Sequence, residues 1–449
     1  EEEIYKSWIT NNTFQETIKA TSNRPLFNFY DGPPFATGSP HYGHLLAATI
    51  KDTVCRFQTI NGHHVPRING WDMHGLPIEQ LGEKTLGIKT TDQIYEMGID
   101  KFNQTCRGLV NSCVKDWEKI IPRMGRWVDF ENSYQTMDFE FMNSTWGVFK
   151  RIFDKGLIYR SLTPMPYSTG CGSCLSHFEA KSNYQDTQDP SVVVKFKINN
   201  LPFATNATIY FLVWTTTPYS LTGNMALCIN SKIKYSIVEV KLITKDGTLI
   251  DDPENKNSLF IMATESIKNW GTKTKTLQVY KEIDVSLLIG VEYTPPFSFN
   301  NHLAENNPKV FTVLEDSYVK VEAGTGIVHL APGMGEDDFR VCLREGLIDQ
   351  RNMETIPCPI DDKGCLTVKD SNYEGQYVKN ADKIIVKNLT SKGMIWDAKT
   401  IQHSYPFCYR TDTPLIQKSI SAWFIDVHSI NDKIIDLNKG IHWVPSNVG

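Results

Sequence analysis

The chain has 449 residues, of which 41% are hydrophobic and 22% charged, and its net charge of −5 comes from 46 Lys and Arg against 51 Asp and Glu. This composition is typical of a globular protein of two to four domains, and it excludes a disordered chain and nucleic-acid binding through bulk positive charge. Ten cysteines without a secretion signal favour reduced thiols in the cytoplasm, and the longest apolar run, residues 209–214, is far shorter than the ~20 residues that span a membrane.

The first part of the chain alternates predicted strands and helices. Residues 26–30 are predicted to form a buried strand, and residues 65–68 a second strand that leads into the sequence GWD. Between them a helix is predicted, because apolar residues recur there at helical spacing: Leu46, Ile50, Val54 and Phe57. Two strands joined by a helix form a βαβ unit, so a parallel sheet is expected.

The pattern changes along the rest of the chain. Two further helices are predicted, around residues 102–120 and 142–153. Short β-type runs then begin near residue 190, and they cover residues 192–196, 209–214, 235–240 and 310–314. We therefore predict a parallel α/β domain that starts with residues 1–184, an inserted β-rich domain at residues 185–395, and a return to the first domain at residues 396–449.

The first candidate site lies in residues 31–44, with the sequence DGPPFATGSPHYGH, where a Gly- and Pro-rich turn leads into a helix. His41 and His44 fall in the first helical turn, whose unpaired N–H groups and positive dipole end favour phosphate. Gly43 lets a base or ribose approach the backbone, and two imidazoles can donate hydrogen bonds to phosphoryl oxygens. The alternative is a strand-to-helix turn with two incidental histidines.

The second candidate site lies in residues 70–79, with the sequence GWDMHGLPIE. Asp72 follows a predicted strand, and a carboxylate at the carboxyl end of a parallel strand is well placed to pair with a cation in the crevice of the sheet. The alternative is that Asp72 only caps the following helix.

Two segments of the β-rich part form a third candidate site. Residues 214–224, WTTTPYSLTGN, follow a strand. Residues 324–338, GTGIVHLAPGMGEDD, run from a strand through a Gly-rich loop into a helix that opens with acidic residues. The alternatives are that the threonines are only strand formers and that Asp337 and Asp338 only favour the helix dipole.

The sequence HYGH at residues 41–44 resembles the HIGH signature of class I aminoacyl-tRNA synthetases, and residues 31–38 and 70–79 resemble the isoleucyl-tRNA synthetases in particular. The resemblance implies a Rossmann-like α/β catalytic domain, of which this chain carries the first half. That domain would activate isoleucine with ATP and Mg²⁺ and transfer it to tRNA(Ile). The residues that would bind isoleucine are Pro33, Phe35 and Asp72. The residues that would bind ATP are His41, Gly43 and His44, with both histidines acting in catalysis.

Residues 214–224 and 324–338 together resemble the editing domain that isoleucyl, valyl and leucyl enzymes insert into the catalytic domain. That domain hydrolyses mischarged tRNA, and the expected chemistry is attack by a positioned water. The resemblance implies that Asp338 binds the α-ammonium group of the amino acid. The other residues that would act there, on the ester, the terminal adenosine or the water, are Thr215, Thr216, Thr217, Asn224 and His329. Met334 and Tyr219 depart from the family pattern, which often has histidine and tryptophan at these places.

Cys171 and Cys174 form a CxxC pair with the spacing of half a zinc site. In bacterial members of the family a second CxxC follows, whereas this sequence has only Cys408 there. A zinc ion would need a further ligand, for which His403 is a candidate, and reduced structural thiols are the alternative.

The leading hypothesis is an isoleucine–tRNA ligase that also edits valyl-tRNA(Ile). We find no KMSKS loop, the second nucleotide motif of the family, in these 449 residues, so we expect a longer natural protein and no aminoacylation by this chain alone. The alternatives are a hydrolase that only clears mischarged tRNA, a sibling ligase for valine or leucine, and a non-catalytic RNA-binding module. The sequences of residues 31–44 and 70–79 argue against the first two, and the lack of a basic tract argues against the third.

Overall fold

The structure is a computed structural model that describes residues 1–449 except 89–90, 202–205, 323 and 370. It divides into two compact units, Glu1–Gly156 and Leu157–Gly449. Among the described residues, no helix has the length and apolar character needed to cross a membrane. The domain limits at residues 184 and 395 stay a prediction.

The first unit is mostly helical. In chain order its elements are α1 (Glu2–Thr10), α2 (Thr13–Thr21), α3 (Tyr42–Ile60), β1 (Ile68–Trp71), α4 (Leu76–Leu86), α5 (Thr91–Met97), α6 (Ile99–Arg123), β2 (Asp129–Gln135) and α7 (Phe139–Asp154). β1 and β2 pair in parallel, and isolated parallel bridges join Leu26 to His64 and Phe35 to Asp72. The parallel sheet of this unit is therefore β1 with β2, and on either side of α3 the expected parallel pairing is reduced to isolated bridges.

The strand predicted at residues 26–30 is wrong. Only Leu26 bridges to the neighbouring segment, and both Leu26 and Tyr30 are exposed. Prolines at positions 25, 33 and 34 flank the segment, and proline has no N–H to give to a ladder. For the same reason the second strand begins at Ile68, after Pro66, and not at residue 65.

The helix predicted from Leu46, Ile50, Val54 and Phe57 is α3, but these four side chains are exposed. The opposite side of α3 packs instead, where Ala48 and Cys55 are buried. The core of the unit is supplied mainly by α6, the helix predicted at residues 102–120, through side chains that face one side: Phe102, Cys106, Val110, Val114, Trp117 and Ile121.

The second unit is mostly β. Its elements are β3 (Ile158–Ser168), β4 (Ser173–Cys174), α8 (His177–Ala180), β5 (Tyr184–Lys197), β6 (Thr208–Thr215), β7 (Ala226–Ile229), β8 (Tyr235–Ile243), β9 (Leu249–Asp251), β10 (Ser258–Ala263), β11 (Lys275–Ile283), α9 (Asn301–Asn306), β12 (Val313–Glu315), β13 (Val328–Leu330), α10 (Glu336–Arg344), α11 (Val378–Ser391), β14 (Ile395–Pro406), β15 (Ile416–Ile425) and α12 (Asn431–Asn438).

Three sheets organise this unit among the described residues. The largest has the order β11-β8-β10-β6-β5-β14, with β9 on β8, and the others have the orders β12-β7-β13 and β15-β3-β4. The β-rich character predicted from residue 190 onward is confirmed. The strand predicted at residues 310–314 begins only at Val313, because Phe311 adopts a left-handed φ of 62° that a regular strand excludes.

Candidate active sites

The first site lies at the N-terminus of α3. His41 Nδ1 accepts a hydrogen bond from the Gly43 N–H at 3.1 Å, and His44 Nδ1 accepts one from the His41 N–H at 3.2 Å. The two imidazole rings stack with their centroids 3.6 Å apart. Because each Nδ1 accepts a backbone N–H, a neutral ring carries its proton on Nε2, and both rings can donate from that atom.

His44 is also held from the side. Its ring centroid lies 4.8 Å from that of Trp117, whose indole N–H donates to the Gly38 carbonyl at 2.7 Å. Burial lowers the pKa of His44, and the charges of His41 and Lys51 lower it further. His44 is therefore a neutral donor near pH 7, so its one ring N–H remains available to a ligand.

A small cavity of about 100 Å³ adjoins His44, and Lys51, Trp71 and Arg126 also line it. The side chain of Asp31, the first residue of the motif, is buried and forms ion pairs with Lys51 and with Arg126, the latter at 2.5 Å. Arg126 had no signal in the sequence, because it lies 95 residues beyond its partner. The two cations are held in place by a buried carboxylate beside the histidines.

Asp72 lies directly after β1. Its backbone exchanges hydrogen bonds with the segment of Phe35, donating to the Pro34 carbonyl at 3.0 Å and accepting from the Ala36 N–H at 3.3 Å. Asp72 does not cap the next helix, since Gly75 holds the N-cap position of α4. The structure thus brings the backbones of Phe35 and Asp72 side by side, and the isoleucine-binding role of Pro33, Phe35 and Asp72 stays a prediction.

The second site is a chain of hydroxyl groups that ends on a histidine. After β6, Thr215 Oγ1 accepts the Thr217 N–H at 3.1 Å, and Thr217 Oγ1 lies 3.0 Å from Ser220 Oγ. Ser220 Oγ lies 3.0 Å from His329 Nε2. Ser220 is a residue that sequence reasoning did not assign, although it stands inside the threonine motif and links it to β13, where His329 lies.

His329 is buried, and its Nδ1 has no hydrogen-bond partner among the described residues. Burial lowers the pKa of His329 to about 4, so the imidazole is neutral at physiological pH. A neutral buried imidazole with one unsatisfied nitrogen can exchange a hydrogen bond with a water or a substrate group.

Asp338 lies in the first turn of α10 and folds back over the preceding loop. Its Oδ2 accepts the Ala331 N–H at 2.8 Å, and its Oδ1 lies 3.4 Å from the hydroxyl of Tyr318. Burial raises the pKa of Asp338 to about 7, against the hydrogen bonds that favour its charged form. Burial makes the negative charge of this carboxyl group unfavourable, so a cation beside it would stabilise the charged form.

Asn224 lies in the same region, because Met225 N–H donates to the carbonyl of Leu330 at the end of β13. Its side chain, however, donates to the Ala226 carbonyl at 3.0 Å and accepts the Tyr293 hydroxyl at 2.8 Å. These bonds hold the backbone of the loop, so the proposed role of Asn224 on substrate stays a prediction. The side chain of Thr216 is half-buried between Thr215 and Thr217.

Helix α11 holds the loop of the threonine motif, residues 214–224, through a hydrogen bond. Asp382 Oδ1 accepts the Tyr219 N–H at 2.8 Å, and Asp382 is almost fully buried. The residue had no signal in the sequence, because it lies 163 positions beyond Tyr219. A cavity of about 300 Å³ adjoins this loop, and Thr217, Tyr219 and Met334 are among its lining residues. The two positions that depart from the family pattern, Tyr219 and Met334, thus line one cavity.

The cysteines do not form a metal site within the described part of the chain, where no group of three or more His, Cys, Asp or Glu side chains is placed to hold a metal ion. Cys171 and Cys408 do meet, with their sulfur atoms 3.6 Å apart. His403, the further ligand considered, bonds instead to Asp189 at 3.0 Å. These residues do not fit a zinc ion, and the chemistry below does not involve one.

A family model described as tRNA synthetases class I (I, L, M and V) matches residues 3–449. The chain belongs to this family. Three curated relatives are similar over its whole length: the isoleucine–tRNA ligase of Chlamydia abortus (43% identity over 448 residues), and the cytoplasmic isoleucine–tRNA ligases of Mus musculus (43% over 449) and Saccharomyces cerevisiae (42% over 451). The chain spans 40%, 34% and 40% of their respective lengths.

Membership of this family agrees with the mixed α/β fold. The synthetase motif at residues 31–44 and the threonine motif at residues 214–224 fall in different units of the structure. Each unit therefore carries one of the two candidate sites.

Proposed function

We propose that this chain carries the amino-acid activation site and the editing site of an isoleucine–tRNA ligase that acts in the cytoplasm. Two observations support it most: His41 and His44 stack at the N-terminus of α3, and a parallel bridge joins Phe35 to Asp72. The identity to relatives named isoleucine–tRNA ligase, two of them named cytoplasmic, supports the amino acid and the compartment. We also propose domain limits at residues 184 and 395, where β5 and β14 begin.

In the activation reaction, the carboxylate of isoleucine attacks the α-phosphate of ATP, and pyrophosphate leaves. His41 and His44 would donate from Nε2 to phosphate oxygens, where negative charge develops, and Gly43 leaves room for the nucleotide. Asp72 would bind the α-ammonium group, and Phe35 and Pro33 would contact the aliphatic side chain. Mg²⁺, bound to the phosphates of ATP, would neutralise their charge.

This half of the proposal is tested by the binding of a non-hydrolysable isoleucyl-adenylate analogue to the chain, measured by calorimetry. We expect Asp72→Asn to weaken binding about 10- to 100-fold, since a hydrogen bond to a charged group contributes about 1.5–3 kcal/mol. Asp116→Asn, on the exposed face of α6, is the matched control and should bind like the unchanged chain. Equal binding by all three proteins would contradict the site.

In the editing reaction, a water molecule attacks the carbonyl carbon of the ester between valine and the terminal ribose of tRNA(Ile), the bond to the ribose oxygen breaks, and free valine and tRNA(Ile) are released. The hydroxyls of Thr215, Thr217 and Ser220 form a hydrogen-bond chain to neutral His329, and such a chain can orient a water and the ester. Thr216 and Asn224 would contact the substrate. Asp338 would bind the α-ammonium group, which relieves the cost of its buried charge.

A second site is needed because a pocket that accepts isoleucine excludes valine poorly. One missing methylene is worth about 1–3 kcal/mol, a limit for which isoleucyl-tRNA synthetases are themselves the standard example.

The editing site is tested with valyl-tRNA(Ile). Asp338→Ala should abolish its deacylation, whereas Asp337→Ala, the exposed neighbour, should retain it. Equal loss in both variants would argue against a specific role of Asp338.

A further inference from the structure

The outer face of the large sheet of the second unit is apolar and aromatic. It is formed by side chains that point away from the main core: Val193, Tyr210, Leu212, Trp214, Val238, Val240, Phe260, Met262, Leu277 and Trp396. Lys195 follows Val193 by two residues and therefore shares this face. Its ammonium lies 5.8 Å from the ring centroid of Tyr210, and among the described residues no carboxylate lies within 4.0 Å of it. Burial lowers the pKa of Lys195.

Lys195 lines a cavity of about 310 Å³ next to β14, together with Trp270 and Trp396. The indole N–H of Trp270 is buried and has no acceptor among the described residues. Two donors that line the same cavity therefore lack an acceptor among the described residues, and the indole N–H of Trp270 is the buried one. Buried donors are normally satisfied, and an unsatisfied one costs about 1–3 kcal/mol.

The carboxylates around this cavity are already used. Lys275 pairs with Asp252 at 3.0 Å and with Glu254 at 3.4 Å. Lys399 pairs with Asp397 at 3.0 Å and lies over the ring of Trp270, 4.7 Å from its centroid. These carboxylates therefore pair with other lysines and not with Lys195.

We propose that this cavity binds a phosphate group, through the Lys195 ammonium and the Trp270 indole N–H. A phosphate offers several acceptor oxygens and a negative charge, so it can accept from both groups at once. Lys275 and Lys399 add positive potential at the same cavity, and the rings of Trp270 and Trp396 suit a base or another flat group beside the phosphate. The phosphate belongs either to a small metabolite or to a nucleic-acid backbone. The inference does not depend on the proposed ligase or editing function.

The test is calorimetric titration of the whole chain with inorganic phosphate at low ionic strength. We expect saturable binding that Lys195→Met weakens at least tenfold. Trp270→Phe, which keeps the ring and removes the donor, should weaken binding about fivefold, since one neutral hydrogen bond contributes about 1 kcal/mol. Lys273→Met is the matched control, because it removes an exposed lysine of the neighbouring segment that does not line the cavity. Circular dichroism checks that the variants fold.

Titration with a short single-stranded oligoribonucleotide distinguishes the two sources. If the oligonucleotide competes with inorganic phosphate, and if both the Lys195→Met and the Trp270→Phe variant lose this competition, the site binds a nucleic-acid backbone. Binding of inorganic phosphate alone would assign it to a small phosphorylated metabolite. The proposal would be overturned if the unchanged chain shows no saturable phosphate binding. It would also be overturned if the folded Lys195→Met and Trp270→Phe variants bind phosphate with the affinity of the unchanged chain.

Discussion

Asp338→Asn should make the folded protein more stable at alkaline pH while it removes the deacylation proposed for this site. The free carboxyl group of aspartate has a pKa of about 3.9, and burial raises the pKa of Asp338 to about 7. Between these values the folded state keeps a proton that the unfolded state has lost. The contribution of Asp338 to the free energy of unfolding is therefore fully present below about pH 4, and it is lost as the pH rises to about 7.

The magnitude follows from the size of the shift. Each pKa unit corresponds to about 1.4 kcal/mol, so a charged Asp338 destabilises the fold by about 4 kcal/mol above pH 7 and by about 1.5 kcal/mol at pH 5. Asparagine is never charged, and its amide can still accept the Ala331 N–H. The variant should therefore gain about 3 kcal/mol relative to the unchanged chain between pH 5 and pH 8.

Urea unfolding at both pH values, followed by fluorescence, measures this gain. Burial lowers the pKa of His329 to about 4, so its own contribution is lost as the pH falls through about 6.5 to 4. Both proteins carry His329, so this effect cancels in the comparison. A stability difference that does not change between pH 5 and pH 8 would refute the argument. A variant that is stabilised but still deacylates valyl-tRNA(Ile) would separate the buried charge from the proposed function.

Three further changes test other parts of the account. Ser220→Ala removes the partner of His329 Nε2 and should lower the free energy of unfolding by about 1–3 kcal/mol, measured by urea unfolding, together with the deacylation rate. Gly335→Ala places a Cβ 2.8 Å from Asp338 Cγ, so it should slow deacylation, and an unchanged rate would show that the loop adapts. Treatment with EDTA should leave the thermal unfolding midpoint unchanged, because the described residues offer no set of three metal ligands; a fall of several degrees would indicate a structural metal.

The sequence predicted local structure well wherever side-chain periodicity alone determines it. Helices α3 and α6 appear where apolar residues recur at spacings of three and four, and β5, β6 and β8 where β-formers cluster. The prediction of residues 26–30 failed because it counted apolar residues and ignored the flanking prolines. Periodicity also identified the apolar side of α3 but not which side packs, since that depends on the neighbouring segments.

The candidate sites were predictable where a motif is continuous in the chain. His41, His44 and Asp72 each stand in such a motif. The partners that hold the sites in place come from far along the sequence, as Arg126 does for Asp31 and Asp382 for Tyr219. Such pairs depend on the tertiary fold, and a single sequence contains no signal for them. Ser220 was missed for another reason, because a serine inside a turn has many ordinary roles.

The central claim is that the second unit is an editing site for valine on tRNA(Ile), and the most direct test is the relative deacylation of valyl-tRNA(Ile) and isoleucyl-tRNA(Ile) by the whole 449-residue chain. We expect rapid release of valine and little release of isoleucine, and no rapid release of valine in Asp338→Ala. Equal hydrolysis of both esters, or of neither, would contradict it.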